Sequence, residues 1–466
     1  MSQRQVRPGG KAAEAASADH GPRTPDAHAI AAHGLCRGKV QMVPKCPTDR
    51  FEHLALWYTP GVAAACREIV RDPARADALT NRANTIAIVS DGSRILGLGD
   101  IGPAAGLPVM EGKALLFKVF GGVDAVPLCI GVHETEEIVA FVKALAPSFA
   151  AVNLEDIAAP KCFRVLDALR RDLPIPVWHD DQQGTATVVL AGLRNALAVV
   201  GKRLDRVRIA LIGIGAANMA VYRVLKAEGA DPARIVACDS RGILHRGRRD
   251  VETAGADLAE KWEVCRDTNP EGRTGGIGEA LHGADVCIAF SQPGPDTVAP
   301  EAVARMAPGA IVFACANPVP EIDPAAAKAA GARIVATGRS DYPNQVNNSL
   351  AFPGIFRGVL DAGARRITDG MIRAAADAMA AAARDKGVRE DAILPRADDM
   401  DVIARIAAAT ACAAQEEGVA TLPVTREGVR EGALARIGQA RAAARALSDA
   451  GVIPTGAEVA ALSRSP

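Results

Sequence analysis

The chain has 466 residues, enough for two or three domains with buried cores. Lys plus Arg and Asp plus Glu number 54 each, so the formal net charge is zero and neither nucleic acid nor an acidic membrane surface is indicated as a partner. The 10 cysteines form no C-x-x-C pair and show no regular spacing. This argues against a disulfide framework or a zinc knuckle, and for reduced thiols in a cytoplasmic protein.

Residues 1–26, rich in Gly, Pro, Ala and charge, read as a disordered tail with no apolar core of a secretory signal. No run of about 18 uncharged apolar residues follows, so no membrane-spanning helix is predicted. Buried strands are predicted at NTIAIVSDG (84–92), DAVPLCIG (124–131), FAAVNLED (149–156) and PVWHDD (176–181). EEIVAFVKALAPS and KCFRVLDALRRDL carry helical spacing between them, and GTATVVLAGLRNALAVVG (184–201) predicts a long helix. A second series of strands follows at RIALIGIG (208–215), RIVACDS (234–240), ADVCIAFS (284–291), GAIVFACANP (309–318) and ARIVATG (332–338). From about residue 360 the alanine-rich sequence predicts helices packing back onto the body. The expected fold is α/β, with an N-terminal substrate and metal domain over 27–186. A Rossmann-like domain is expected over 187–365 and a helical segment over 366–466.

In IALIGIGAANMAVYRVL, Gly213 and Gly215 stand between an apolar strand and a helix. Such a turn brings backbone close to a pyrophosphate at the helix N-terminus, which nominates Gly213, Gly215, Ala216, Ala217 and Asn218 as cofactor-binding. The third glycine position of the fingerprint is Asn218. Asp239, ending the next strand, suits the ribose hydroxyls of NAD. Arg241, with Arg246, Arg248 and Arg249 nearby, suits the 2′-phosphate of NADP. The expectation is a modest NADP preference with measurable NAD use.

Two acidic pairs, Glu155 with Asp156 and Asp180 with Asp181, end neighbouring predicted strands. Parallel strands deliver such ends to one edge, where these folds bind ligands. Carboxylates gathered there repel one another unless a cation intervenes, and an all-oxygen set suits Mg²⁺ or Mn²⁺. Asp180 or Asp181 could instead cap the following helix. His179 is assigned a structural role because strand alternation turns it away from a neighbouring Asp. Cys238 and Cys315 are read as small packed hydrophobes.

Seven stretches occur in order: LALWYTPGVA, SDGSRILGLGDIG, PVMEGKALLFK, NLEDI, PVWHDDQQGTA, ANPVPEI and GRSDYPNQVNNSLAFPGIFRGVLD. Together they resemble the malic enzymes of the shorter bacterial type, over about residues 35–365 and weakly through the helical end. The chain is short for a member with an added acyltransferase-like domain. The resemblance implies oxidative decarboxylation of malate to pyruvate with NAD or NADP and a divalent metal. It implies Tyr58 as general acid, Lys113 as general base with Asp180 in support, and Glu155, Asp156 and Asp181 as metal ligands. Asn317, Asn347 and Asn348 match substrate-binding amides, Asn317 facing the cofactor as well, and Arg94 matches a grip on a malate carboxylate. Trp178 and Gln183 stand where the family often has Phe and His, and are read as packing variation.

The chemistry asks for a lysine whose pKa is lowered by burial and a nearby metal, since free lysine titrates at about 10.4. The expected partner is malate, with no nucleic acid and no membrane, and the expected assembly is a homo-oligomer, dimer or higher. The rival readings are a malolactic-type enzyme that releases lactate and a non-catalytic nucleotide-responsive protein.

Overall fold

The computed structural model describes residues 24–463. The tail expected over 1–26 lies outside them except for its end, where Thr24 caps the helix Pro25–Cys36 by accepting from Ala27 N at 3.3 Å. The chain divides into two compact units, and the larger is Val40–Arg441. The smaller joins the described residues before Val40 to those after Arg441. Within it a second short helix, Gly456–Ala461, starts at a Thr455–Glu458 capping box. The His28 ring lies 3.0 Å from the Val459 carbonyl.

The larger unit is built on two sheets. The first has the order β2-β1-β3-β4, with β1 Thr85–Ser90, β2 Asp124–Cys129, β3 Ala151–Leu154 and β4 Val177–His179, all parallel. The second has the order β10-β9-β8-β5-β6-β7. Its strands are β5 Ile209–Ile212, β6 Ile235–Asp239, β7 Gly242–Ile243, β8 Val286–Ala289, β9 Ile311–Ala314 and β10 Ile334–Thr337. Only β7 runs antiparallel, pairing Asp239 with Gly242. Ile86 to Val89 are fully buried, as expected of strands covered on both faces. The direction of winding reverses between β5 and β8, the point in such sheets where ligands gather.

The strands are shorter than their apolar runs. Glu155 and Asp156 lie just past β3, and Asp180–Gly184 form a π-helical turn after β4 that runs into the helix Thr185–Val200. The helical run Asp180–Val200 is long and apolar enough to cross a membrane by length and composition, though it carries Asp180, Asp181 and Arg194. Its apolar window is 72% buried inside the protein, where the helix packs against the helices Ala216–Ala227 and Asp369–Asp385.

The alanines after residue 360 do more than favour helix. Ala375, Ala376 and Ala380 of Asp369–Asp385, and Ala404, Ala407 and Ala411 of Met400–Glu416, are fully buried. Small side chains let these helices approach closely. At Gly358 of the helix Phe352–Asp361 a Cβ would sit 2.3 Å from the Ala407 carbonyl. All 10 cysteines are free, and Cys238 and Cys315 are buried in the second sheet and its edge.

Candidate active site

Leu154 is in register with His179, so the residues leaving β3 and β4 emerge side by side. Glu155, Asp156 and Asp181 each present a carboxylate oxygen, and these oxygens lie within 4.8 Å of one another. Asp156 Oδ2 is buried with no hydrogen-bond partner among the described residues. Asp181 Oδ2 accepts from Asp156 N at 2.9 Å. Burial pushes the Asp156 carboxyl up to about 8, with the Asp181 charge adding to it. Burial likewise pushes Glu155 well above the usual carboxylate range, against the pull of Lys113. Three carboxylates held so close, two of them resisting ionisation, fit a hard divalent cation.

Lys113 comes from the helix Gly102–Gly121. Its Nζ lies 2.5 Å from Asp180 Oδ2 and 2.9 Å from Glu155 Oε1, with the Phe352 ring centroid 4.5 Å away. Burial alone would lower its pKa, but Asp180 and Glu155 outweigh it and the net shift is upward. The lowering expected from the sequence is therefore not what the protein groups alone produce. Asp180 is fully buried, and the Trp178 indole donates to its Oδ1 at 3.0 Å. Reading Trp178 as packing variation missed this bond; the clue was an N–H donor two residues from a carboxylate. Gln183 also works, its Oε1 accepting from His179 N at 2.9 Å. His179 is fully buried, neither ring nitrogen has a hydrogen-bond partner among the described residues, and Nδ1 is 3.6 Å from Asp181 Oδ2.

A cleft of about 460 Å³ opens over these groups. Arg94, Lys113, Glu155, Asp156 and Asp181 line it from the first sheet's side. Gly215, Ala216, Ala217, Ser291 and Ala316 line it from the second, with Asn317, Asn347 and Asn348. Asn347 is occupied, its side chain donating to Gly338 O at 3.2 Å and accepting from Ser349 N at 3.0 Å.

The turn after β5 has the conformation a pyrophosphate needs. Gly213 has φ of 79°, and a Cβ there would meet the Phe290 carbonyl at 2.4 Å, while Gly215 faces open space. The first-turn amides of the helix Ala216–Ala227 have no intrahelical acceptor. Asn218 is not at the cleft surface. It is fully buried, and its amide nitrogen lies 2.7 Å from Gly213 O and 3.0 Å from Ile212 O, which locks the turn.

Asp239 and Tyr58 are not among the cleft-lining residues. Both Asp239 oxygens are taken by Arg248, at 3.0 Å each, with Lys261 at 3.2 Å. Burial pulls the Asp239 carboxyl upward, but Arg248 and the Arg241 amide hold it below its ordinary value. The Arg241 side chain turns to Asp250, Arg246 to the Arg266 carbonyl and Arg249 to Glu252. Tyr58 follows the helix Phe51–Trp57 and is 73% exposed.

A direct test of the carboxylate set is Asp181→Asn, which keeps shape and removes one charge. The metal concentration for half-maximal rate should rise by at least about tenfold. An unchanged titration would leave Asp181 only its bond to the Asp156 amide.

Two family descriptions match the chain, the malic enzyme N-terminal domain at residues 37–170 and the malic enzyme NAD binding domain at residues 182–415. An NAD-dependent malic enzyme of Geobacillus stearothermophilus is 47% identical over 383 residues, covering 82% of this chain and 78% of that one. A bifunctional malic/malolactic enzyme of Bacillus subtilis is 44% identical, covering 86% and 96%. The crystal structure of the Entamoeba histolytica malic enzyme superposes with a TM-score of 0.90 at 43% identity, covering 94% of this chain and 92% of that one. With both domain descriptions matched in order and identities this high over most of its length, the chain belongs to the malic enzyme family.

Proposed function

We propose that this chain oxidises (S)-malate at C2 with NAD or NADP and releases C4 as CO₂, leaving pyruvate. The observation that carries this is the single cleft in which Lys113, three converging carboxylates and the unclaimed amides after β5 face one another. Glu155, Asp156 and Asp181 would hold Mg²⁺ or Mn²⁺. Such an ion supplies Lewis acidity toward the substrate's C2 oxygen. Lys113 takes the C2 hydroxyl proton as the neutral amine: with the charge of Glu155 turned to the metal, the ammonium first gives one proton to solvent, and Asp180 stays as its partner. Arg94, with no side-chain partner among the described residues, is free to take a substrate carboxylate. Asn317 and Asn348 offer side-chain amides that are likewise unengaged, so Asn348 rather than Asn347 is assigned to substrate.

The acid that protonates C3 has to come from elsewhere. Tyr58 lies on a face with Phe51, Leu54, Leu56 and Trp57, all large and all exposed. A second copy covers this face in a symmetric homodimer, and each Tyr58 reaches into the other copy's cleft. The enzyme works in the cytoplasm.

Malate is incubated with NAD or NADP and Mn²⁺, with and without a chelator. Reduced nucleotide accumulating with pyruvate, and lost with the chelator, is the expected result. Lactate formed without net reduced nucleotide would sink it in favour of the malolactic reading, which the Bacillus subtilis relative's second named activity makes the competitor.

For cofactor choice, Asp239 is neutralised by Arg248 and Lys261, so its charge no longer excludes a 2′-phosphate. The exposed Arg241 remains available to swing from Asp250 toward that phosphate. A modest NADP preference follows. Arg241→Ala should lower the NADP/NAD ratio of kcat/KM by about tenfold, the worth of one charge-assisted contact. A parent enzyme strongly preferring NAD would refute the preference.

A further inference from the structure

Glu321 lies in the stretch ANPVPEI and is fully buried. Among the described residues it has no cationic partner. Its carboxylate instead collects main-chain amides from the ends of two strands. Oε1 accepts from Ser291 N at 2.8 Å, just past β8, and Oε2 accepts from Ala316 N at 2.9 Å, just past β9. The Ser291 hydroxyl adds a longer bond at 3.3 Å. Burial raises the carboxyl above its ordinary value, against the pull of the Ala316 and Ser291 amides, which hydrogen-bond to its ionised form. Accepting from two main-chain amides at two separate oxygens is what a carboxylate can do and a neutral side-chain amide, with one oxygen and one NH2, cannot.

Ser291 and Ala316 both line the cleft. This inference rests on the proposed reading that NAD or NADP occupies it. A dinucleotide with its phosphates at the amides of Gly215–Ala217 and its reactive end at the malate site has to pass over the loops after β8 and β9. That reactive end changes charge in the reaction, from a cationic ring to a neutral one on accepting hydride. A fixed anion one amide bond behind the cleft wall distinguishes the two forms.

We propose that Glu321 is a positioning residue whose buried charge, carried to the cleft wall through Ser291 and Ala316, makes the enzyme favour the oxidised over the reduced cofactor. Dissociation constants for the oxidised and reduced forms of the preferred nucleotide are measured by calorimetry and by nucleotide fluorescence, in the absence of malate. In the parent, measurable binding of both forms tests the reading beneath the inference; binding of neither overturns both. In Glu321→Gln the preference for the oxidised form should fall by about five- to tenfold relative to the parent. A ratio unchanged within about twofold, whatever happens to the individual affinities, overturns the charge role and leaves only loop packing. Glu321→Asp covers the case in which the Gln variant does not fold. It keeps the charge, so both affinities should weaken while the ratio survives, and a lost ratio there also overturns the inference.

Discussion

Lys113→Ala is expected to lower turnover by about 10²–10⁴-fold, the usual cost of removing a general base, while nucleotide affinity stays within experimental error. The second half of that expectation comes from geometry. Lys113 sits on the helix Gly102–Gly121 beside Glu155 and Asp180, and the amides nominated for the pyrophosphate belong to the turn after β5. The substitution also removes the cation that lies between two buried carboxylates. Glu155 already resists ionisation through burial, so the variant should hold a proton there, or hold metal more tightly. Turnover is measured at saturating metal and compared with fluorescence titration of the reduced nucleotide. Near-normal turnover would remove Lys113 from the proton-transfer role. Lost nucleotide binding with lost turnover would point to a collapsed cleft.

Mixing two inactive variants should restore activity. If each Tyr58 serves the cleft of a second copy, Tyr58→Phe and Lys113→Ala are each inactive as homodimers. A mixed dimer then has one cleft with its own Lys113 and the Tyr58 of the other copy. Random pairing makes half of the dimers mixed, with one of two clefts intact, so about a quarter of parental activity should return on co-expression. A tyrosine acting within its own chain predicts no recovery, because every cleft then lacks one of the two groups. The test needs differently tagged chains, isolation of the mixed dimer and comparison with each variant alone. The exposure of Tyr58 and of its apolar neighbours motivates the expectation.

Much of this protein was legible in its sequence. Short apolar runs alternating with helical patterns specified two α/β series, because parallel strands covered on both faces must be apolar along their whole length. The acidic pairs were legible for the same reason. A polar residue directly after such a strand has nowhere to go but the sheet's carboxyl edge, and Glu155, Asp156 and Asp181 meet there. The glycine turn after β5 was readable because a left-handed backbone and close approach to Phe290 exclude side chains. Other features depended on contacts between segments far apart in the chain. The pairing of Lys113 with Asp180 and Glu155, which raises the lysine's pKa, needed helix and sheet to be brought together. Four arginines near Asp239 looked equivalent in sequence, yet only Arg248 is positioned to take both carboxylate oxygens. Glu321 read as part of a motif, and only the folding of two strand ends onto its carboxylate gave it a neighbourhood. Tyr58 marks the same boundary: its motif suggested a proton donor, but the fold of one chain leaves it in solvent. Periodicity and local turn chemistry act over a few residues and can be read along the chain, whereas charge pairing and burial are set by which surfaces meet.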